Sequence, residues 1–499
     1  MITRVLIKGS RLDIRSSLPS ISILSRKDLQ VKTTEATRTE SDSFGSQEVP
    51  ASRYWGASTQ RCLTQFHVDD KVMPLQVIHA FGWIKKAAAL AHQELGWLDP
   101  QLAKVIIEAA SEVAEGTWDD HFPLGIWQTG SGTATHMNVN EVIANRASEK
   151  CGQALGQKAP VHPNDHVNMG QSTNDTFGTA MHVALWGGVH DILLPALASL
   201  IHALKDQQNK GASVVKMGRT HLQDAAPLMV GDEWGAFVDT CEVSQKRIMH
   251  CVQDLTCLPQ GGTAVGTGLN AHPQFASLFA DHLSRLLHTS FTTHPAPFSL
   301  MSMHDAIVFL GHAFSLLAGD LLKMGQDLRL LSSGPRAGLG EFVLPQNEPG
   351  SSIMPGKVNP THIESLLMIC VHVQGLSSIV AQAGASGQLQ LNVMKPLIVS
   401  HMFDMITLLA NGMNNLRQYC LEGITLQQDQ INRHVHNSLM LVTALTPHIG
   451  YDKAARMARY AFDHNCSLQE ANRQLGYVSE KDFNRWIQVE AMASPKAGV

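Results

Sequence analysis

No two of the eight cysteines lie two residues apart; Cys62, Cys151, Cys241, Cys251, Cys257, Cys370, Cys420 and Cys466 are scattered along 499 residues. That spacing excludes a zinc ribbon or a cysteine-held iron–sulfur cluster and fits buried thiols in a reducing compartment. A surplus of positive charge is lacking too. The formal net charge is −5 and the pI about 6.6, so there is no electrostatic footprint for nucleic acid or an acidic membrane surface. β signals are few. Residues 365–394 contain no Asp, Glu, Lys or Arg. Gln, Asn, Ser and Gly nevertheless interrupt that stretch, which leaves no clean apolar run of about 20 residues. It reads as a helix buried among other helices, including those of other subunits, and not as a membrane span.

What is present suits a large, mainly α protein. Hydrophobic residues make up 44% of the chain, ample for an extensive core, and the length fits two or three domains. The first 27 residues carry Arg4, Lys8, Arg11, Arg15, Arg26 and Lys27 against one acid, Asp13, among serines and apolar residues. This composition is that of a mitochondrial transit peptide rather than a secretory signal, and a polar linker, "TTEATRTESDSFGS", follows it. Long apolar segments cover residues 179–210, 233–255, 361–383 and 396–420. Segments apolar around so much of their circumference belong inside a helical bundle. The expected organisation is a leader over 1–45, a mixed, mainly helical domain over 46–171, a central bundle over 172–428 and a small helical domain over 429–499.

Several short stretches carry chemistry. In "QTGSGTATHMN" a Ser131-Gly132-Thr133 turn directly precedes a helix, and hydroxyls with free backbone N–H groups there cradle an anion or simply cap the helix. "HPNDHVNMGQSTND" repeats the design with Ser172, Thr173 and Asn174 ahead of a helix beginning near Thr179. His162 and His166 are four apart beside Asp165, but Pro163 and the turn-forming Asn164 argue against the helix that would align them on a metal. Gly266-x-Gly268-x-x-Ala271 is dinucleotide-like without the surrounding strand–turn–helix, so it reads as a packed or substrate-facing loop. "GRTHLQDAAP" places Thr220 and His221 just before a long helix, and a pairing of His221 with Glu364 makes a general base. "GSSIMPGKVN" is a Gly/Pro loop loaded with Ser351, Ser352, Lys357 and Asn359, the composition of a lid that closes over an anion.

Taken together, "WQTGSGT", "HPNDHVN", "GRTHLQDA", "NEPGSSIMPGKVNP" and "NSLMLVTALTPHIGYDKAA" resemble the class II fumarate hydratases of the fumarase/aspartase superfamily, from about Phe44 to the C-terminus. His221 separates this resemblance from the aspartases, which usually carry Gln there. The resemblance implies a three-domain fold whose central helices form one multi-helix core in a homotetramer, with each active site drawn from three subunits. It implies a small dicarboxylate substrate, no cofactor, no metal, no nucleic acid and no membrane. The tricarboxylic acid cycle and the mitochondrial matrix, with the cytosol as a second location, follow from it. Ser351 would take the C3 proton of malate. His221, paired with Glu364 and holding a water, would serve the hydroxyl at C2, although the acid and base roles can be assigned either way. Ser131, Gly132, Thr133, Ser172, Thr173, Asn174, Thr220, Ser352, Lys357, Val358 and Asn359 would bind the doubly charged aci-carboxylate intermediate. His162, Pro163, Asn164 and Asp165 match a secondary anion site.

The chain departs from the family pattern around these positions. Ala134 and His136 stand where Gln and Asn are usual, Met169 and Gly170 where Lys and Ser are, Thr173 where Ser is, and Gly178 where Pro is. Two other readings therefore accompany the hydratase: a low-activity paralogue with a structural or regulatory role, and an aspartate ammonia-lyase. The joint presence of His221, Glu364, Ser351, Lys357 and Asn359 favours the hydratase, because a non-catalytic bundle needs no such set.

Overall fold

The computed structural model describes residues 36–494. The basic part of the expected leader lies outside them. The linker reading gives way at Thr37, where β1 (Thr37–Asp42) pairs antiparallel with β2 (Gly45–Pro50). So polar a hairpin holds because its charges find partners. Arg38 meets Glu40 at 2.6 Å and donates to the carbonyls of Pro50 and Trp55, while Arg61 meets Asp42 at 2.8 Å.

Helices α1 (Ala57–Gln65), α2 (Leu75–Glu94), α3 (Pro100–Ala114) and α4 (Thr133–Lys150) follow. α5 (Thr173–Gly188) passes through one π turn, Val189–Leu193, into α6 (Leu194–Gly211). The sequence reads this as one uninterrupted helix. Pro195 explains the widened turn just before it, since proline supplies no N–H and crowds the carbonyl four residues back. Next come α7 (Val230–Cys251), α8 (Phe275–Leu287), α9 (Phe298–Ser302), α10 (Asp305–Leu331), α11 (Thr361–Gly384) and α12 (Lys395–Tyr419). The α5–α6 rod packs with α7, α10, α11 and α12 into a bundle, α2 packs against α5, and α8 packs on α2.

One buried core runs from Val49 to Ile431. A second, smaller one joins Val435, Leu441, Leu445, Met457, Ala471 and Phe483, contributed largely by α13 (Gln428–Asn437), the 3-10 turns of Leu439–Leu445, α14 (Tyr451–Asp463), α15 (Leu468–Leu475) and α16 (Glu480–Trp486). Met217 also enters this second core, from the hairpin of β3 (Val215–Thr220) and β4 (Gln223–Met229). The expected mainly α fold is what the chain forms.

By length and composition, helices spanning Thr173–Gly211, Asp305–Leu331 and Thr361–Gly384 are apolar enough to cross a membrane, with 50, 44 and 44% of their most apolar windows buried within the chain. Met368, Val371 and Ile379 on α11 and Phe309 and Leu316 on α10 remain exposed. An apolar stripe at this spacing calls for a further covering surface.

Two buried histidines set a pH dependence. His92 bonds the Met169 carbonyl at 2.8 Å and His182 bonds that of Leu255 at 3.1 Å. Burial pushes both down to about 4. Between about pH 6.5 and 4 the unfolded chain takes up these protons and the native chain does not, so stability is full above that window and falls as pH drops through it. Asp175, pushed up to about 6 by burial, works in the opposite direction and offsets one of the two rings. His136 and His304, fully buried and lowered by burial as well, act in the same direction as these two rings. Thermal denaturation from pH 7 to 5 should therefore show a steadily falling midpoint, and a midpoint that rises on acidification would contradict the assignment.

Candidate functional site

Two helix starts come together first. Gly132, with φ +84°, ends the turn before α4, and a Cβ built there would lie 2.2 Å from the Phe177 ring. Only glycine lets the start of α4 approach α5 so closely. The Ser131 and Thr133 hydroxyls are 2.8 Å apart. Ser172 caps α5: its hydroxyl accepts from Asn174 N at 3.2 Å, and Asp175 accepts from Ser172 N at 3.0 Å. This reciprocal box starts the helix at Thr173, six residues earlier than the sequence suggests. Asp175 also accepts from Gly261 N and Thr263 N, both at 3.0 Å, and Asn174 donates to the Ala264 carbonyl at 2.7 Å. The glycine-rich stretch is thus a loop tied to the start of α5, as expected.

The "HPND" stretch differs from its sequence reading. Pro163–Val167 form a single π turn with proline leading it, where a missing N–H is harmless. The His162 ring caps that turn, Nδ1 accepting from Asn164 N at 3.2 Å and Asp165 N at 3.1 Å. Among the described residues no three His, Cys, Asp or Glu side chains converge as a metal site.

His221 is displaced from its expected setting before a helix. Thr220 ends β3, and His221 and Leu222 form the tip of the hairpin with φ of 54° and 62°; α7 begins only at Val230. Two consecutive left-handed residues make the turn that Asn-Gly usually supplies, so His-Leu carries strain of about 1–3 kcal/mol per residue. Among the described residues none pairs with the exposed His221 side chain. What anchors this strained tip is a buried ion cluster that sequence reasoning missed. Lys216 meets Glu233 at 2.7 Å and Glu341 at 3.0 Å, and Glu341 also meets Arg219 at 2.7 Å and His434 at 2.9 Å. Glu341 is fully buried, and Lys216 with Arg219 holds its carboxyl below the usual range although burial alone would raise it.

The Gly/Pro loop is closed on itself. Gly350 N donates to the Lys357 carbonyl at 3.1 Å, and Asn359 donates to the Gly350 carbonyl. A Cβ on Gly350 would sit 2.2 Å from the Lys357 oxygen. Inside the turn, Ser351 Oγ accepts from Ile353 N at 3.2 Å and Met354 N at 3.0 Å, an arrangement that stabilises negative charge on that oxygen. Ser352, Lys357 and Val358 stand exposed. Glu364 lies in the first turn of α11, 3.7 Å from Arg329. Within one chain, then, three separate groups exist: the paired helix starts, the Ser351 loop with Glu364, and the His221 tip. Among the described residues no hydrogen bond or ion pair joins one group to another, and His221 and Glu364 do not touch.

Comparison with known proteins gives consistent matches. The chain matches the family described as Lyase over residues 45–375 and that described as Fumarase C C-terminus over residues 441–494. It is 50% identical to "Fumarate hydratase class II" of Thermosynechococcus vestitus, over 93% of this chain and 99% of the relative. To "Fumarate hydratase, mitochondrial" of Schizosaccharomyces pombe it is 48% identical, over 92% of this chain and 88% of the relative. Its fold matches a crystal structure of recombinant class II fumarase from Schistosoma mansoni with a TM-score of 0.90 and 40% identity, covering 93% of this chain and 100% of the other.

Proposed function

Since the chain belongs to the class II fumarate hydratase family, we infer that it catalyses the reversible hydration of fumarate to (S)-malate, a small dicarboxylate. The observation that carries the mechanism is the cradle of Ser351, whose oxygen accepts two backbone N–H groups, those of Ile353 and Met354. A serine hydroxyl is a weak base in water. In a closed loop with fixed donors, and with Lys357 carried on the same loop, its alkoxide is stabilised enough to take the C3 proton. The electrons left at C3 flow into the adjacent carboxylate and make a doubly charged aci-carboxylate. The hydroxyls of Ser131, Thr133 and Thr220, the amides of Asn174 and Asn359, and Lys357 bind that charge, while the Thr173 hydroxyl binds the substrate's other carboxylate, whose charge does not change in the reaction. His221, with Glu364 behind it, then protonates the hydroxyl leaving C2 through a held water.

These groups meet only when chains assemble. The tetrameric habit of the family, the exposed apolar stripe on α11 and α10, and the separation of the three groups within one chain together support a homotetramer with shared sites. The His162–Asp165 turn serves as a secondary anion site by the same reading. A mitochondrial location rests on the composition of the leader and on the yeast relative's name. The test is spectroscopic: with no added metal or nucleotide, (S)-malate should raise absorbance in the fumarate band, and added fumarate should lower it. Ammonia released from aspartate at a comparable rate would overturn the hydratase reading.

A further inference from the structure

Behind the paired helix starts lies a buried polar chain that the mechanism above does not use. Lys85 on α2 is 1% exposed, and its Nζ has three neighbours: Asn168 Oδ1 at 3.1 Å, Gln171 Oε1 at 2.9 Å and His136 Nε2 at 2.7 Å. The amide orientations are fixed independently. Asn168 spends its N–H on the Gln171 carbonyl, and Gln171 spends its own on the carbonyls of Val167 and Met169. Both amide oxygens therefore face Lys85, and the three acceptors match the three N–H groups of an ammonium. His136, also 1% exposed, stacks on Phe81 with ring centres 5.4 Å apart, and its other nitrogen, Nδ1, lies 2.8 Å from Thr173 Oγ1.

The protonation pattern follows from these contacts. If Nε2 accepts from the ammonium, the ring hydrogen sits on Nδ1 and is donated to Thr173, whose own hydroxyl hydrogen is then free. Burial, and next the Lys85 charge, push His136 well below the ordinary histidine value, so the ring stays neutral. Burial draws Lys85 down as well, and the Asp175 carboxylate opposes it.

We propose that His136 is a positioning residue for substrate: held by Lys85 on one side, it donates to Thr173 on the other and turns the Thr173 hydroxyl hydrogen toward the substrate carboxylate. This rests on the hydratase reading, in which Thr173 binds a carboxylate. A group that binds ground state and transition state alike acts on KM rather than kcat.

Two amides separate the two ring nitrogens. Asn reaches about as far as Nδ1, whereas Gln reaches about as far as Nε2. His136→Asn keeps a partner for Thr173 and should hold KM for malate within about threefold of the parent. His136→Gln keeps the Lys85 contact, loses Thr173, and should raise KM about tenfold with kcat within about threefold. Thr173→Val should raise KM similarly, and Thr173→Val/His136→Gln should match Thr173→Val alone, because both changes remove one interaction. A His136→Gln enzyme with the parent's KM, a fall in kcat at unchanged KM, or effects that multiply in the double variant would overturn the proposal. Should His136→Gln fail to fold, His136→Asn decides, since a tenfold rise in its KM would overturn the proposal equally. A parent protein inactive on malate would instead sink the hydratase reading itself.

Discussion

Ser351→Ala should lower kcat by roughly 10²–10⁴-fold, the usual contribution of a positioned proton-transfer group, while the protein remains folded and assembled. The expected effect is this large because no neighbouring group can substitute. Ser352 is exposed on the next residue, and the two backbone N–H groups that cradle Ser351 Oγ are those of Ile353 and Met354, aimed at one oxygen position. Alanine leaves those donors in place and removes the oxygen that takes the proton. Stability should hardly change. The loop lies on the surface, and its closure rests on Gly350, Lys357 and Asn359, none of which the substitution touches. KM should move little, since the lost interaction belongs to the transition state. Steady-state kinetics with malate, together with a mass measurement of the assembly, check this. A variant within about threefold of the parent would remove Ser351 from the mechanism.

The features legible in the sequence share one property: they depend on local chemistry. Long apolar segments announce the bundle because helices buried on most sides need few charges. The turn at Ser131-Gly132-Thr133 is legible because glycine and hydroxyls before a helical run have few other uses. Where sequence and structure part, the cause is long-range or conformational. α5 starts well before Thr179 because Asp175 folds back onto Ser172 and caps the helix there. His221 sits on a hairpin tip that carries no Asn-Gly signal; a buried ion cluster around Glu341 holds its His-Leu turn instead. The polar linker forms β1 because Arg61, on α1, reaches back to Asp42. For Lys85 the sequence offers only a hint, in "GWIKKAAALA": adjacent lysines point about 100° apart on a helix, so in one apolar on most sides they need not share the solvent face. Its partners, at His136, Asn168 and Gln171, are scattered over the sequence and show no pattern there.

The separation of His221, Ser351 and the paired helix starts within one chain makes assembly the central claim, and subunit mixing tests it directly. His221→Asn and Ser351→Ala subunits, each inactive alone, are combined in equal amounts, denatured and refolded together. If a site draws these two residues from different chains, random mixing leaves some sites with both defects and others with neither. With equal proportions and independent sites, activity should return to about a quarter of the parent's. If both residues come from one chain, every site carries one defect whatever the mixture. Shared sites predict recovery that tracks the fraction of hybrid tetramers resolved by native mass spectrometry. Hybrid tetramers as inactive as their parents would contradict them.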